Sequence, residues 1–217
     1  MTHATHLQRD GYVVVPSVLD DRTMCAIERC LVALDASSAG TRNLLQAAWC
    51  RALARRLMSS PTLADLLPRH AVAVQCTLFD KSPERNWSVP MHRDVHVPVA
   101  QRIDHPLLTG WSRKEGSWFV RAPFPLLRQA LALRVQVDHG IDGGGGLSVV
   151  PESHMADSAL PAHECVVGRG GVLAMSPLLL HASAKAARPV RRRVLHFLLA
   201  RHELPFGLRW PTTTETP

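Results

Sequence analysis

Apolar and polar positions follow two different rhythms along this chain, and the change falls near residue 70. Leu19, Met24, Ile27, Leu31 and Leu34 recur at helical spacing, with Asp20 or Asp21 placed to cap the helix. Before them, residues 9–16 (RDGYVVVP) read as a short strand or entry segment closed by Pro16. A second helix is predicted from about Arg42 to Met58 on Leu44, Leu45, Ala48, Leu53 and Leu57. A shorter one covers about Pro61 to Leu67, after Ser59 or Ser60. From Ala71 the period shortens to two. Strands are predicted at AVAVQCTLF (71–79), LALRVQVD (131–138), Leu147–Val150, Glu164–Val167, Val172–Met175, Leu178–Ser183 and Val190–Ala200. Turn residues separate them at Gly143–Gly146, Gly168–Gly171 and Pro189. The stretch from about Lys81 to Pro125 shows neither rhythm and reads as a long loop insert of lid or binding-loop type.

Helices followed by many short strands point to an α+β, mainly β chain. The expected core is a double-stranded β-helix (a jelly roll, cupin-like) with the N-terminal helices packed outside. The 217 residues suit one domain: a helical part over about 1–70, then a jelly-roll core over about 71–203 with the insert near 81–125. An apolar fraction of 46% is enough to build that core. No apolar run reaches the roughly 18–20 residues of a membrane helix, and MTHATHLQRDG is not of signal-peptide type, so the expected location is cytoplasmic. Cys25, Cys30, Cys50, Cys76 and Cys165 are odd in number and form no Cys-x-x-Cys pair, which argues against a disulfide framework or a structural zinc site. The net charge of +7 suits nucleic acid or anionic small molecules equally and selects neither.

The twelve histidines change the picture, because few folds need so many for packing. In MHRDVHV (91–97), residues two apart share a strand face, so His92 and Asp94 present an imidazole and a carboxylate together, and His96 continues that face. His181 ends an apolar strand far along the chain and is placed to complete a three-ligand set. Two histidines and one carboxylate on one face form the facial triad of non-haem Fe(II) oxygenases, with positions left open for 2-oxoglutarate and O₂. In the last strand Val190, Arg192, Val194 and His196 share one face, and Arg191, Arg193 and Leu195 share the other. An arginine on the inward face is the fork-shaped cation that a distal carboxylate needs. Three consecutive arginines leave the choice of Arg192 open by one residue.

With these motifs in hand, the chain resembles the phytanoyl-CoA dioxygenase family of Fe(II)/2-oxoglutarate oxygenases over nearly its whole length. The resemblance rests on LQRDGYVVVPSVLD, MHRD, GGGGLSVVPESH and GRGGVLAMSPLLLHASAKAARPVRRRVLHF. It implies that His92, Asp94 and His181 hold iron and that Arg192 and Ser183 hold the 2-oxoglutarate carboxylate. It further implies oxidation of a substrate C–H bond, as in hydroxylation, with release of succinate and CO₂. Gly144 stands where the family commonly has Asn, and Glu152 replaces a glycine; both changes concern a turn. Asp94 is intact, whereas halogenating relatives replace that carboxylate. LFDKSPERNW (78–87) is similar to a bacterial subgroup, which sets Lys81, Asn86 and Trp87 near the pocket without assigning roles. Trp87, His96, Trp111, Trp118 and Arg134 are candidates for a substrate pocket, and a buried Arg134 would need an anionic partner.

The expected partner is a small metabolite, with no membrane and no nucleic acid. Two alternatives stay open: the same chemistry on nucleic acid or protein, and a metal-binding jelly roll without catalysis. Against nucleic acid, no basic stripe with interleaved aromatics is present.

Overall fold

The computed structural model describes residues 2–34, 40–139 and 145–215. In chain order the helices and strands are α1 (His3–Asp10), β1 (Tyr12–Val15), α2 (Asp21–Val32), α3 (Ala48–Met58), β2 (Ala71–Lys81), β3 (Val89–His92), β4 (His96–Val99), β5 (Ser112–Lys114), β6 (Ser117–Arg121), α4 (Phe124–Leu127), β7 (Leu131–Gln136), β8 (Leu147–Val149), β9 (His163–Cys165), β10 (Val172–Met175), β11 (His181–Ser183), β12 (Arg192–Arg201) and β13 (Thr214–Glu215). The six-stranded sheet runs β1-β10-β7-β12-β2-β13 and the four-stranded sheet β3-β11-β8-β9, with antiparallel pairing throughout. Together they form the two sides of a jelly roll, the mainly β architecture expected from the two rhythms.

Strand parity decides what faces where. On the outer face of the large sheet, Leu131, Leu133, Val135, Val172, Ala174, Leu195, Phe197 and Leu199 bury against Met24, Ile27, Leu31, Leu53 and Leu57 of α2 and α3. The inner face of the same strands carries Ala132 and Arg134 of β7 and Arg192, His196 and Leu198 of β12, all of which line a cavity. The β12–β2 register shifts between Leu198 and Leu199, so that Leu198 pairs with Gln75 and Leu199 with Ala73. Val74 is the extra residue of this bulge. Val74 therefore packs inside the barrel with Leu198, while Gln75, Thr77, Phe79 and Lys81 beyond it line the cavity.

The N-terminal part departs from the expected pattern in three places. Residues His3–Asp10 form a helix ahead of the predicted entry strand; Thr2 caps one end, and Gly11 closes the other in the left-handed region (φ 82°). No residue of α1 is buried, so its stop and start signals, not an apolar stripe, define it. At Gly11 a side chain would also meet the His154 imidazole at 2.5 Å. Second, the helix predicted from Arg42 begins as a short 3₁₀ turn at Leu44–Gln46, and the α-helix proper starts at Ala48. Third, the predicted Pro61–Leu67 helix is reduced to a 3₁₀ turn at Ala64–Leu66. α2 has its expected cap, with the Asp20 side chain accepting from the Thr23 amide.

The insert is not irregular. It holds β3, and then β4, β6 and β5 form a small sheet of their own. Val97, Val99 and Val120 of that sheet join Val72, Val74, Leu178, Leu198 and Ala200 in one apolar cluster, which plugs one end of the barrel. The four-residue strands are too short and too proline-broken for a period-two signal. Of the predicted glycine turn at Gly143–Gly146, Gly143 and Gly144 lie outside the described residues.

Candidate active site

His92 is the last residue of β3 and pairs with His181, the first of β11. The strand then ends, and Asp94 sits in the break before β4, its amide donating to the Pro177 carbonyl at 2.8 Å. The expected shared strand face for His92, Asp94 and His96 is therefore replaced by a turn. That turn swings the Asp94 carboxylate in between the two imidazoles. His92 Nε2 lies 3.5 Å from Asp94 Oδ1, and His181 Nε2 lies 3.6 Å from Asp94 Oδ2. One ligand atom from each of the three residues falls within 4.8 Å of the others.

The tautomers follow from the partners. His92 Nδ1 is 2.8 Å from the Pro90 carbonyl, and His181 Nδ1 is 2.8 Å from the Leu179 carbonyl. A carbonyl only accepts, so in each neutral ring Nδ1 carries the proton and Nε2 offers a lone pair to the shared point. His181 is 2% exposed. Burial pushes its pKa down, with Asp94 opposing, whereas the bond to Asp94 raises that of His92. Burial alone would raise Asp94; the imidazoles of His92, His181 and His196 outweigh it and hold this carboxyl well below the usual carboxylate range. The donor set thus comprises a carboxylate and two imidazole lone pairs, which suits a divalent transition metal with open positions.

The surrounding chain fixes this geometry. Arg93, in the cavity wall, donates to the carbonyls of Leu178 and Ser153, both at 2.9 Å. Ser153 Oγ accepts from the Leu180 amide at 2.8 Å, one residue before His181. Glu152, at the position where the resembled family has glycine, adopts φ 67°, which explains the glycine.

At the other end of the cavity the three consecutive arginines take different partners. Arg191 makes two bonds to Asp80, at 2.9 and 2.7 Å. Arg193 pairs with Asp138 and with Glu28, which also holds Arg169. Arg192 alone of the three points inward: it is 8% exposed, its Nη2 is 3.4 Å from Ser183 Oγ, and its buried Nε has no partner. Lys81 pairs with Arg192 across β2 and β12 and donates to Ser183 Oγ at 2.7 Å and to the Ala184 carbonyl at 2.6 Å. Burial, then Arg192 and Arg134, lower the Lys81 ammonium to about 8. Two cationic donors therefore converge on Ser183 Oγ, whose own hydroxyl donates to the Gly145 carbonyl at 3.1 Å, and a pair of cations is what a carboxylate requires. The sequence alone assigns Lys81 no role, although period-two parity with Phe79 and Thr77 sets it on the inner face.

Of the substrate-pocket candidates, Trp87, His96 and Arg134 line the same cavity as the triad, a space of about 370 Å³. Lys81 Nζ sits over the Trp87 ring at 5.4 Å. Trp111 and Trp118 do not line it. They meet edge to face at 6.2 Å against the barrel-end cluster, with the Trp111 indole donating to the Leu108 carbonyl, and serve as half-buried anchors of the insert. Asn86 closes a two-way bond with Ala186, clamping the loop after β11 over the site. His196, which strand parity places only on the face of Arg192, has its Nε2 3.8 Å from Asp94 Oδ2. Among the described residues no helix is long and apolar enough to cross a membrane.

No protein-family model matches the chain and no curated protein matches it. Solved structures do. The non-heme alpha-ketoglutarate-dependent epimerase SnoN from nogalamycin biosynthesis aligns over 99% of this chain and 84% of its own, at TM-score 0.67 and 16% identity. HygX from Streptomyces hygroscopicus, with iron bound, aligns over 92% and 85%, at TM-score 0.65 and 16% identity. AviO1 from Streptomyces viridochromogenes Tue57 aligns over 94% and 95%, at TM-score 0.62 and 19% identity. At such identities the likeness establishes the fold: this chain shares the jelly-roll architecture of these solved structures.

Proposed function

We propose that the chain is an Fe(II)- and 2-oxoglutarate-dependent oxygenase that oxidises a C–H bond of a small molecule, with hydroxylation as the reaction expected from the intact Asp94. The observation that carries this reading is the pairing of two seats in one cavity. His92, Asp94 and His181 converge at one end, and Arg192, with its buried Nε unpartnered, stands with Lys81 and Ser183 at the other. A 2-oxo dicarboxylate spans such a pair, binding the metal with one end and the cationic fork with the other. The likeness to HygX, solved with nickel and 2-oxoglutarate bound, and to SnoN, solved with Fe3+, alpha ketoglutarate and nogalamycin RO, supports the same assignment.

When bound, the iron supplies the O₂ activation that couples decarboxylation of 2-oxoglutarate to substrate oxidation. The residues do the rest. His92 and His181 donate lone pairs from rings locked by backbone carbonyls, Asp94 supplies the anionic ligand, and Trp87 and His96 wall the cavity. A volume of about 370 Å³ suits a small molecule rather than a polymer segment. The purified protein should release succinate from 2-oxoglutarate only with Fe(II) and O₂, and His181→Ala should abolish release. Succinate release by His181→Ala at the wild-type rate would refute the proposal.

A further inference from the structure

Arg134 lies in the interior of the barrel with no ion pair among the described residues, although the Asp94 carboxylate acts on it at longer range. It is 8% exposed, lines the cavity, and has no carboxylate at ion-pair distance among the described residues. Its one hydrogen bond runs from Nη1 to His196 Nδ1 at 3.0 Å, and its guanidinium stacks over the Phe79 ring at 5.3 Å. Burial, then the nearby Arg192, lower its pKa to about 10. Retaining an unpaired charge at such a place opposes folding, and structural arginines are normally answered by a carboxylate. Lys81, Arg134 and Arg192 all reach this interior, whereas Asp94 is the one carboxylate in the cavity lining among the described residues.

The bond to His196 carries further information. Arginine only donates, so His196 Nδ1 accepts and its Nε2 bears the hydrogen. His92 and His181 present the opposite tautomer. His196 therefore cannot act as a fourth metal ligand through Nε2, although that atom stands beside Asp94 Oδ2. It instead presents an N–H donor at the metal end of the cavity, with Arg134 one imidazole further in. Register builds this arrangement, because Arg134 of β7 and His196 of β12 are direct cross-strand partners.

We propose that Arg134 and His196 form a second anion seat, which receives the 1-carboxylate of the bound 2-oxo acid while Arg192 and Lys81 hold the distal one. This rests on the oxygenase reading and deepens it: two buried guanidinium seats in one interior match the two carboxylates of one ligand. The seat positions the chelating end; it takes no part in bond making.

Calorimetric titration of the anaerobic Fe(II) protein with two probes tests this: 2-oxoglutarate, and 2-oxobutyrate, which lacks the distal carboxylate. Arg134→Met should weaken both probes by roughly tenfold or more, whereas Arg192→Met should weaken 2-oxoglutarate alone. Arg134→Lys, which keeps the charge but loses the fork, should fall between, and it stands in should the methionine variant not fold. The melting temperature of the ligand-free Arg134→Met protein should match or exceed wild type, because an unanswered charge is removed; a structural role would lower it. Wild-type affinity for 2-oxobutyrate in both Arg134 variants would overturn the seat alone, and the charge would then await an anion brought by the substrate. Failure of wild type to bind either probe would overturn the oxygenase reading and this inference together.

Discussion

Arg192→Gln is the sharpest perturbation of the distal seat. In the ligand-free protein this guanidinium has a buried Nε with no partner and one long contact to Ser183 Oγ, so its removal breaks little that holds the fold. With 2-oxoglutarate bound, it would supply a charge-assisted bond or a bidentate pair. Truncating one side of such a buried pair costs about 2–5 kcal/mol. Lys81, 2.7 Å from Ser183 Oγ, remains to hold the carboxylate and places the expectation at the lower end. About 3 kcal/mol corresponds to a Kd increase of roughly 100-fold. The neighbours supply the control. Arg191→Gln leaves the buried carboxylate of Asp80 with a weaker partner, so stability should fall while the 2-oxoglutarate Kd stays put. Anaerobic titration with thermal melting reads both quantities on the same samples. An unchanged Kd in Arg192→Gln, or a rise of the same size in Arg191→Gln, would refute the reasoning.

Three further outcomes follow from particular residues. Lys81 titrates near 8 against an ordinary 10.5, so between those values the unfolded chain binds more protons and ligand-free stability should rise with pH. Affinity for 2-oxoglutarate needs the protonated ammonium and should instead fall as pH climbs above 8; Lys81→Met should flatten both slopes, as pH-resolved melting and titration would register. Glu152→Gly should relieve a left-handed residue and stabilise by about 1 kcal/mol, a few degrees in Tm, and a lower Tm would contradict the strain argument. Trp118→Ala should cost about 1–3 kcal/mol by melting, below the range of a fully buried ring, yet leave 2-oxoglutarate affinity intact, since the half-buried ring packs at the barrel end and not in the cavity.

How much of this was legible in the sequence depended on range. Period-two parity put Arg192 and His196 on one face and Arg191 and Arg193 on the other, and the inner face of β12 follows that parity. The mainly β fold followed from the same signal. Local caps without apolar periodicity hid α1, and strands of three to five residues hid the small sheet in the insert. The Lys81–Ser183 bond spans about a hundred residues, and the Arg134–His196 bond depends on the register between two strands; neither leaves a mark at any spacing along the chain. The aromatic chemistry of Trp111 and Trp118 suits a pocket wall, but both rings pack against the barrel-end cluster, because large aromatic rings also anchor a core.

The central claim is that His92, Asp94 and His181 hold one Fe(II) to which 2-oxoglutarate binds. Anaerobic addition of Fe(II) and then 2-oxoglutarate, followed by visible absorption and metal analysis in chloride-free buffer, tests it most directly. Wild type should bind one iron per chain and develop a charge-transfer band on adding 2-oxoglutarate. His92→Ala and Asp94→Ala, shown to be folded by circular dichroism, should lose the iron and the band. Equal iron content and equal bands in all three proteins would contradict the account.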